Sequence, residues 1–415
     1  MKFEDVSSKI ERVLLDAYNN TPYFNNIIND IVDENEEISA DVFPRLPIFN
    51  KQTIRELGWL NFISSEYLDE DYRLLRTKNI RVERTSGTTG EPMQILWNQN
   101  DYLSSIMNHW EYRSDTFGIT PASRYCTSVK NIPGDASYYI DGNKMLFSIK
   151  DFSYESITEI IKGMNEFKPE WLYIQNSILF VLVYVARKLG LDFPDSIKYI
   201  EYMGEPICGY FRNEIAKEIP AKTSNMYGCV ETNGISLECV CGHNHLLPNN
   251  VYVEIVDEVG NVKEYGDKGF VCVTGLHNTA MPILRYRLND VAVVKDGNDC
   301  PCGNPNPTIE IMAARMPEFL ILDDKNVYSK ASLYSPIGVG IGLFEIEESD
   351  IAFTLKMNTL DHYEIQVYQN GDKLSDIETV FKEIFDAYGL PNIKFVVKQV
   401  DECNLMNRVG VLRLR

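Results

Sequence analysis

Three short apolar runs decide the fold class of this chain: Leu172-Tyr-Ile174, Lys198-Tyr-Ile-Glu-Tyr-Met203 and Ser224-Asn-Met-Tyr227. Each run has the length and the residue types of a β-strand. Helical patterns precede and separate these runs, at about residues 155–167, 177–190 and 208–218. Because strands that alternate with helices form layers in which helices cover a parallel sheet, the stretch predicts an α/β fold on a largely parallel sheet.

Downstream of this stretch, the pattern of strand-like and helix-like segments changes twice. Val251–Asp257, Gly269–Gly275 and Asp290–Val294 alternate over strand lengths, which predicts a small antiparallel sheet or a barrel-like subdomain. Beyond them, about 100 residues mix strand and helix patterns. We therefore expect a large N-terminal domain over residues 1–314 and a small α+β C-terminal domain over residues 315–415.

Composition and charge exclude several classes of protein. The 415 residues include 40 basic and 60 acidic side chains, a formal net charge of −20, so neither nucleic acid nor a membrane surface is an expected partner. The most apolar stretch, Ile178–Ala186, is far shorter than the roughly 20 residues that span a bilayer. The acidic opening Met1–Val6 does not match a signal peptide, and two Cys-x-Cys pairs favour metal binding over disulfides. We expect a cytoplasmic protein.

The densest functional signal is Thr85-Ser-Gly-Thr-Thr-Gly-Glu-Pro92. Its first six residues are two glycines and four hydroxyl side chains, which supply backbone N–H groups and donors for polyphosphate oxygens. The stretch lacks the lysine of the nucleotide loop that ends Gly-Lys-Ser/Thr. A polar hairpin turn has a similar composition, so this stretch alone leaves both interpretations open.

Three later segments complete a pattern with this loop: Gly204-Glu-Pro206, Tyr227-Gly-Cys-Val-Glu231 and Met281-Pro-Ile-Leu-Arg-Tyr-Arg-Leu-Asn-Asp290. In this order they resemble the adenylate-forming enzymes, which include acyl- and aryl-CoA synthetases. The likeness is strongest to the phenylacetate–CoA ligase branch, with its Thr-Ser-Gly-Thr-Thr-Gly-x-Pro loop and its Met-Pro-x-x-Arg-Tyr-Arg-x-x-Asp motif. It extends from about residue 10 to residue 330.

The resemblance implies an enzyme with a mobile C-terminal domain. A small carboxylic acid would attack the α-phosphate of ATP, giving an acyl-adenylate and pyrophosphate, with Mg²⁺ as a cofactor. The acyl group would then pass to CoA, a carrier-protein thiol or an amine. Catalysis of this kind consists mainly of positioning and electrostatic stabilisation.

The resemblance also assigns roles to individual residues of the glycine-rich loop and of the two motif segments that follow it. The loop cradles the departing pyrophosphate through Thr85, Ser86, Gly87, Thr88, Thr89 and Gly90. Gly204, Glu205 and Pro206 lie against adenine. Tyr227, which Gly228 follows in the motif, stacks near the same base.

The resemblance assigns the remaining nucleotide contacts to two acids and one arginine. Glu231 contacts Mg²⁺, Asp290 accepts both ribose hydroxyls, and Arg315 reaches the ribose from beside the hinge. Arg285 and Arg287, in the last motif, are interpreted as salt-bridged scaffold.

The chain departs from the family near its end and at the hinge. The family carries a lysine close to the C-terminus that neutralises charge during adenylation, whereas this chain has no lysine after Lys398. Arg408 falls roughly at that position, and either it takes the catalytic role or it is a solvated strand residue. Pro317 in the hinge sequence fixes its own φ and restricts the usual domain rotation.

A second constellation joins Cys239-Val-Cys-Gly-His-Asn-His245 with Cys300-Pro-Cys-Gly303. Two Cys-x-Cys-Gly knuckles can close one tetrahedral sulfur-rich site, for which Zn²⁺ is the natural occupant, or they are idle thiols. On the pattern of the resembled branch the ligands are Cys239, His245, Cys300 and Cys302, with Cys241 or His243 as substitutes. Such a site has no open position, so the predicted zinc is structural.

Two functions from different classes are consistent with this sequence. The first is an AMP-forming acid ligase, favoured by the intact loop and by both acids. The second is an accessory or binding protein that keeps the fold and the zinc site but has lost adenylation, favoured by the missing lysine.

Overall fold

The computed structural model describes residues 3–71, 73–74, 79–85, 93–129, 132–134, 136–148, 154–205, 207, 209–313, 319–321, 327–329, 351–359, 362–369 and 398–400. The chain divides into two compact units. Unit 1 comprises Met1–Asp115 and Met226–Met312, and unit 2 comprises Thr116–Asn225 and Ala313–Arg415. The predicted division at residue 314 stays a prediction.

The described residues contain seven α-helices: α1 (Ser7–Asn20), α2 (Pro22–Ile31), α3 (Lys51–Leu57), α4 (Gln99–Phe117), α5 (Tyr154–Phe167), α6 (Asn176–Leu189) and α7 (Gly209–Glu218). None of these helices combines the length and the apolar character needed to cross a membrane.

The strands of the described residues are β1 (Ile80–Arg84), β2 (Gln94–Asn98), β3 (Tyr125–Val129), β4 (Tyr138–Asp141), β5 (Lys144–Ser148), β6 (Trp171–Ile174), β7 (Tyr199–Met203), β8 (Lys222–Cys229), β9 (Asn233–Glu238), β10 (Asn244–Leu246), β11 (Val251–Val256), β12 (Lys268–Gly275), β13 (Tyr286–Lys295), β14 (Thr308–Ala313), β15 (Phe319–Ile321), β16 (Val327–Ser329), β17 (Ile351–Thr359), β18 (His362–Gln369) and β19 (Lys398–Val400).

Unit 2 carries the predicted parallel sheet, in the order β7-β6-β3-β5-β4. The pairs β3·β5, β3·β6 and β6·β7 are parallel, and only the edge pair β4·β5 is antiparallel. One face packs apolar residues of α5, α6 and α7 against Leu172, Ile174 and Ile200. On the other face the rings of Tyr125 and Trp171 stack with centroids 5.0 Å apart. The predicted α/β class is confirmed.

The C-terminal part of unit 2 adds short antiparallel pieces. Strands β15 and β16 form a hairpin, and β17 pairs antiparallel with β18. Strand β19 lies parallel to β18 on its other side. These strands agree with the mixed α+β pattern that the sequence predicts after residue 314.

Unit 1 is built on a sheet in the order β11-β12-β13-β14-β10-β9-β8, beside the two-stranded hairpin β1-β2. The pairs β11·β12 and β12·β13 are antiparallel, as predicted from the alternating pattern. The pairs β10·β14, β9·β10 and β8·β9 are also antiparallel, although the sequence assigns the run in β8 to the largely parallel sheet. Helices α1 and α2 cover this sheet through a core rich in aromatic rings. Within that core Phe62 packs on Tyr23 and Phe49, with ring centroids 4.3 Å and 5.5 Å apart.

Strand β13 begins earlier than the sequence predicts. The predicted strand starts at Asp290, but β13 runs from Tyr286, because Tyr286 bridges to Phe49 and Arg287 pairs with Cys272. Asp290 therefore lies inside a strand, in the segment between Arg287 and Val291 where the register with β12 shifts.

Candidate functional site

Two tyrosines join the motif segments of unit 1 in a crossed arrangement. The Tyr227 hydroxyl on β8 donates to Asp290 Oδ2 on β13 at 2.9 Å. The Tyr286 hydroxyl on β13 donates to Glu231 Oε1, in the turn after β8, at 3.0 Å. Each strand thus supplies one acid and the tyrosine that holds the other strand's acid.

These contacts require a strongly curled sheet. Strands β8 and β13 lie four places apart in the strand order of unit 1. In a flat sheet, four spacings of about 4.8 Å would separate them by about 19 Å, beyond the reach of a tyrosine. The two hydrogen bonds therefore span the inside of the curl, which agrees with the barrel-like subdomain that the sequence predicts.

The end of β8 is shaped by Gly228. The register of β8 and β9 shifts between Tyr227 and Gly228, and a Cβ at Gly228 would lie 2.4 Å from the Asn233 backbone oxygen. Only glycine permits this close approach. The extra residue of this bulge is Ile235 in β9, and Glu231 lies in the short turn that joins Cys229 to Asn233.

Glu231 is buried, with 6% of its surface exposed. One carboxylate oxygen accepts the Tyr286 hydrogen bond, and Oε2 has no hydrogen-bond partner among the described residues. A buried carboxylate with one oxygen held and one available is suited to a hard cation such as Mg²⁺, which takes one or two protein carboxylates together with phosphate oxygens. The donor type and its burial therefore fit the predicted ion.

A buried ion pair supports the start of β13. Arg285 has φ 55° and donates to both carboxylate oxygens of Glu254, at 3.0 Å and 3.1 Å. Its remaining nitrogen donates to the carbonyl oxygens of Pro44 and Leu46, each at 2.7 Å. Burial raises the pKa of Glu254, and the positive charge of Arg285 opposes that rise. Arg285 is scaffold, as the sequence analysis expects.

Only the first residue of the glycine-rich loop lies in the described part of the chain. Thr85 follows β1, and its N–H donates to the Met93 carbonyl oxygen at 2.9 Å. Its Oγ1 accepts from Met93 N at 2.8 Å and from Lys51 Nζ at 3.3 Å. The loop therefore connects the two strands of the β1-β2 hairpin. A hairpin connection can also bind phosphate, so the two interpretations of its composition are compatible.

Several predicted site residues lie outside the described residues: Ser86, Gly87, Thr88, Thr89, Gly90, Pro206, Arg315 and Arg408. Gly204, with φ 77°, and Glu205 follow β7 in unit 2, at the carboxyl end of a parallel strand. Ligands of open α/β sheets bind outside such ends.

Tyr286 is a functional candidate that the motifs alone do not single out. Its signal is the spacing within Arg285-Tyr-Arg-Leu-Asn-Asp290. An even separation places two side chains on one face of a regular strand, and in β13 the register with β12 shifts between Arg287 and Val291. That parity becomes visible only once the strand is known to begin at Tyr286.

The Cys/His cluster gathers four ligand atoms within 4.8 Å of one another, from Cys239, His245, Cys300 and Cys302. The sulfur of Cys300 lies 3.7 Å from that of Cys239 and 3.3 Å from that of Cys302. Tetrahedral zinc with Zn–S bonds of about 2.3 Å separates two sulfurs by about 3.8 Å. The spacing and the donor set therefore fit Zn²⁺. Cys241 is exposed and is not one of these four.

The two knuckles share one turn geometry. In the first, Gly242 N donates to the Cys239 carbonyl at 2.9 Å, and in the second, Gly303 N donates to the Cys300 carbonyl at 3.1 Å. Both glycines adopt left-handed backbone, with φ of 82° and 79°. The pairing of His245 with Thr308 between β10 and β14 brings the two turns together.

Hydrogen bonding sets the tautomer of His245. Its Nδ1 lies 2.7 Å from the Asn306 carbonyl oxygen, which can only accept, so Nδ1 carries the proton. The Nε2 lone pair then faces Cys302 Sγ at 3.3 Å. This is the orientation in which a metal-binding histidine donates its other ring N–H to a backbone carbonyl.

The two thiols of the second knuckle differ in acidity. Burial raises the pKa of Cys300, but the hydrogen bond from the Cys302 backbone and the other hydrogen bonds of the cluster outweigh it and lower that pKa to about 6. Burial raises the pKa of Cys302 to about 11. Adjacent thiols that compete for one negative charge behave in this way until a cation stabilises both.

Comparison with known proteins gives the following relatives. No family model matches this chain. A phenylacetate–coenzyme A ligase of Thermus thermophilus is 23% identical over 392 residues, 91% of this chain and 82% of the relative. Another, of Pseudomonas putida, is 21% identical over 371 residues, 86% of this chain and 76% of the relative.

Among solved structures, 2-hydroxyisobutyryl-CoA ligase in the postadenylation state, in complex with R3-HIB-AMP, matches with a TM-score of 0.61. The sequence identity is 15%, and the match covers 99% of this chain and 88% of that one. At this identity the likeness shows the fold.

Proposed function

Because this chain belongs to the adenylate-forming superfamily and to its phenylacetate–CoA ligase-like branch, we propose that it activates a small carboxylic acid with ATP and transfers the acyl group to coenzyme A. It is an AMP-forming acid ligase. The alternative, an accessory protein without adenylation, is not favoured, since phenylacetate–coenzyme A ligases of two bacteria match most of its length.

One observation carries the assignment of the nucleotide site. Tyr227 and Asp290 are 63 positions apart in the sequence, yet their side chains are hydrogen-bonded at 2.9 Å. The residue proposed to stack near adenine and the residue proposed to accept the ribose hydroxyls therefore lie where one nucleoside can contact both.

The proposed reaction has two steps. A carboxylate oxygen of the acid attacks the α-phosphorus of ATP, the bond to the β-phosphate oxygen breaks, and pyrophosphate leaves. The thiolate sulfur of CoA then attacks the acyl carbon, the acyl–oxygen bond breaks, and AMP leaves with both bonding electrons. Asp290 holds the ribose through both steps, while Thr85 begins the loop proposed to bind the pyrophosphate oxygens.

Two metal ions are part of the proposal. Glu231 would hold Mg²⁺, which supplies charge neutralisation on the phosphate oxygens. Cys239, His245, Cys300 and Cys302 would hold a structural Zn²⁺ that ties the β9-β10 hairpin to the loop before β14. Because all four zinc ligands come from the protein, this site leaves no position for a reacting group.

Adenine would lie against Gly204, Glu205 and Pro206, and Arg315 would reach the ribose. The acid partner is a small carboxylic acid, and CoA is favoured as the acceptor over a carrier-protein thiol or an amine. A cytoplasmic location remains part of the proposal.

The test is acid-dependent exchange of radioactive pyrophosphate into ATP over a panel of aryl and short-chain acyl acids. Exchange with at least one acid, followed by thioester formation when CoA is added, is the expected result. Measurable ATP binding without exchange for any acid would overturn the enzyme assignment in favour of the accessory protein.

Arg408 is proposed to take the place of the adenylation lysine, on sequence alone. Arg408→Ala should then lower the exchange rate about 100-fold or more with little change in ATP affinity, because the lost charge acts mainly in the transition state. Arg408→Lys should retain exchange. An alanine variant with wild-type exchange would overturn the role and direct attention to Lys398.

A further inference from the structure

The turn that carries Glu231 does not by itself orient the carboxylate. Glu231 follows the last residue of β8 by two positions, and a glutamate in a turn can rotate about three side-chain bonds. A carboxylate that must meet a cation on a phosphate chain needs a fixed direction. The feature that fixes it comes from a different strand.

Tyr286 is a rigid donor. Its ring is 3% exposed and packs edge-on against Phe49, with centroids 5.3 Å apart at 66°. Its backbone bridges to that same residue. The hydroxyl therefore has a set position, and its 3.0 Å hydrogen bond to Glu231 Oε1 leaves Oε2 for a ligand.

Tyr227 has the equivalent relation to the second acid. Its hydroxyl lies 2.9 Å from Asp290 Oδ2, across the inside of the curled sheet. The side chain comes from the strand that precedes Glu231, just as Tyr286 comes from the strand that bears Asp290.

We propose that Tyr286 and Tyr227 are positioning residues that preset the two acids, Tyr286 turning Glu231 toward the cation and Tyr227 turning Asp290 toward the ribose. This inference rests on the proposed function. A hydrogen bond from a neutral hydroxyl to a carboxylate is charge-assisted, so it favours one rotamer of the acid before the nucleotide arrives. Loss of the Tyr286 hydroxyl should therefore weaken only the Mg²⁺-dependent part of nucleotide binding. Loss of the Tyr227 hydroxyl should weaken only the ribose contacts.

The experiment measures ATP binding by calorimetry across a Mg²⁺ titration and in EDTA, and compares ATP with 2′-deoxy-ATP and 3′-deoxy-ATP. Tyr286→Phe should raise the Mg²⁺ concentration for half-maximal tightening about tenfold, the scale of one hydrogen bond to a charged group. Affinity in EDTA should stay within about twofold.

Tyr227→Phe should affect the ribose contacts and not the Mg²⁺ dependence of ATP binding. ATP affinity should fall about tenfold with and without Mg²⁺, discrimination against the deoxy analogues should shrink, and the Mg²⁺ midpoint should stay unchanged. The control is Tyr18→Phe, which removes an exposed hydroxyl that donates to Asn29 at 3.0 Å and should alter neither property.

A double-mutant cycle keeps the test independent of folding defects. Glu231→Asp withdraws the carboxylate from the Tyr286 hydroxyl, so adding Tyr286→Phe to it should produce no further shift of the Mg²⁺ midpoint. Additive shifts in the cycle would overturn the proposal, as would a Tyr286→Phe variant with the wild-type Mg²⁺ profile. Wild-type protein that binds no ATP would instead overturn the proposed function, and this inference with it.

Discussion

Unit 1 contains the segments around Glu231 and Asp290, which are proposed to bind the nucleotide, and also the Cys/His cluster, but the two are held together in different ways. Around the nucleotide motifs, Tyr227, Tyr286 and the Arg285–Glu254 pair connect the strands through hydrogen bonds that need no ligand. In the Cys/His cluster, sulfurs lie 3.3–3.7 Å apart without a disulfide among the described cysteines.

The difference teaches which site depends on its ligand for structure. We expect the hydrogen-bonded frame to persist whether or not a nucleotide is bound, so that Glu231 and Asp290 stay preorganised. Closely packed thiols repel once they ionise, and a cation compensates for that repulsion. We therefore expect metal loss to unfold part of unit 1, and nucleotide loss to leave it folded.

The largest expected effect is on the Cys/His cluster. Cys300→Ser should lower the free energy of unfolding by on the order of 5 kcal/mol, since zinc-binding energy is folding energy in structural sites. Denaturant titration and metal analysis of protein purified without chelator measure it. Cys241→Ser is the matched control, because Cys241 lies in the same knuckle outside the four ligands. Wild-type protein without zinc would contradict the comparison.

The next largest effect is on the frame of the nucleotide motifs. Arg285→Met leaves the Glu254 carboxylate buried without its partner, which should cost about 3–5 kcal/mol of stability. Urea denaturation measures the loss. Lys295→Met is the control, because the Lys295–Glu310 pair is 57% exposed on both sides and should cost about 0.5 kcal/mol or less. Equal losses in both variants would show that the frame is not the stabilising element.

A smaller effect, on ATP binding alone, is expected at Asp290, the acid that is proposed to accept the ribose hydroxyls. Asp290→Ala should weaken ATP binding by about 1.5–3 kcal/mol through lost charge-assisted hydrogen bonds, with little change in the denaturation midpoint. Calorimetry with ATP measures it, and Asp257→Ala at an exposed turn serves as the control. Unchanged affinity would show that Asp290 does not bind the ribose.

The smallest effect lies outside both sites. Burial raises the pKa of Asp16 above 3.8, with Glu66 and Asp101 adding to the rise against the Asn20 hydrogen bond. A raised folded pKa gives stability that is present below pH 3.8 and lost as pH rises through the folded value. Asp16→Asn should therefore gain about 0.5 kcal/mol or less at pH 7 and nothing near pH 3.5, by urea denaturation at each pH. A larger gain at the acidic pH would contradict the burial argument.

Much of the fold was predictable because its signals are local. The runs around Leu172, Ile200 and Met226 became β6, β7 and β8, since strand and helix periods are properties of neighbouring residues. The start of β13 was not predictable, because Tyr286 joins the strand through Phe49, a residue far away in sequence.

The sequence by itself determined the inventory of chemistry: the two motif acids, the loop that begins at Thr85, and six candidate soft ligands in two knuckles. Tertiary structure decided which of these groups meet. It gathered the side chains of Cys239, His245, Cys300 and Cys302 and left Cys241 exposed, and it set Tyr286 on Glu231 and Tyr227 on Asp290. The physical reason is that these contacts depend on the accumulated curl of a seven-stranded sheet, which arises from pairing between strands that are distant in sequence rather than from any local pattern.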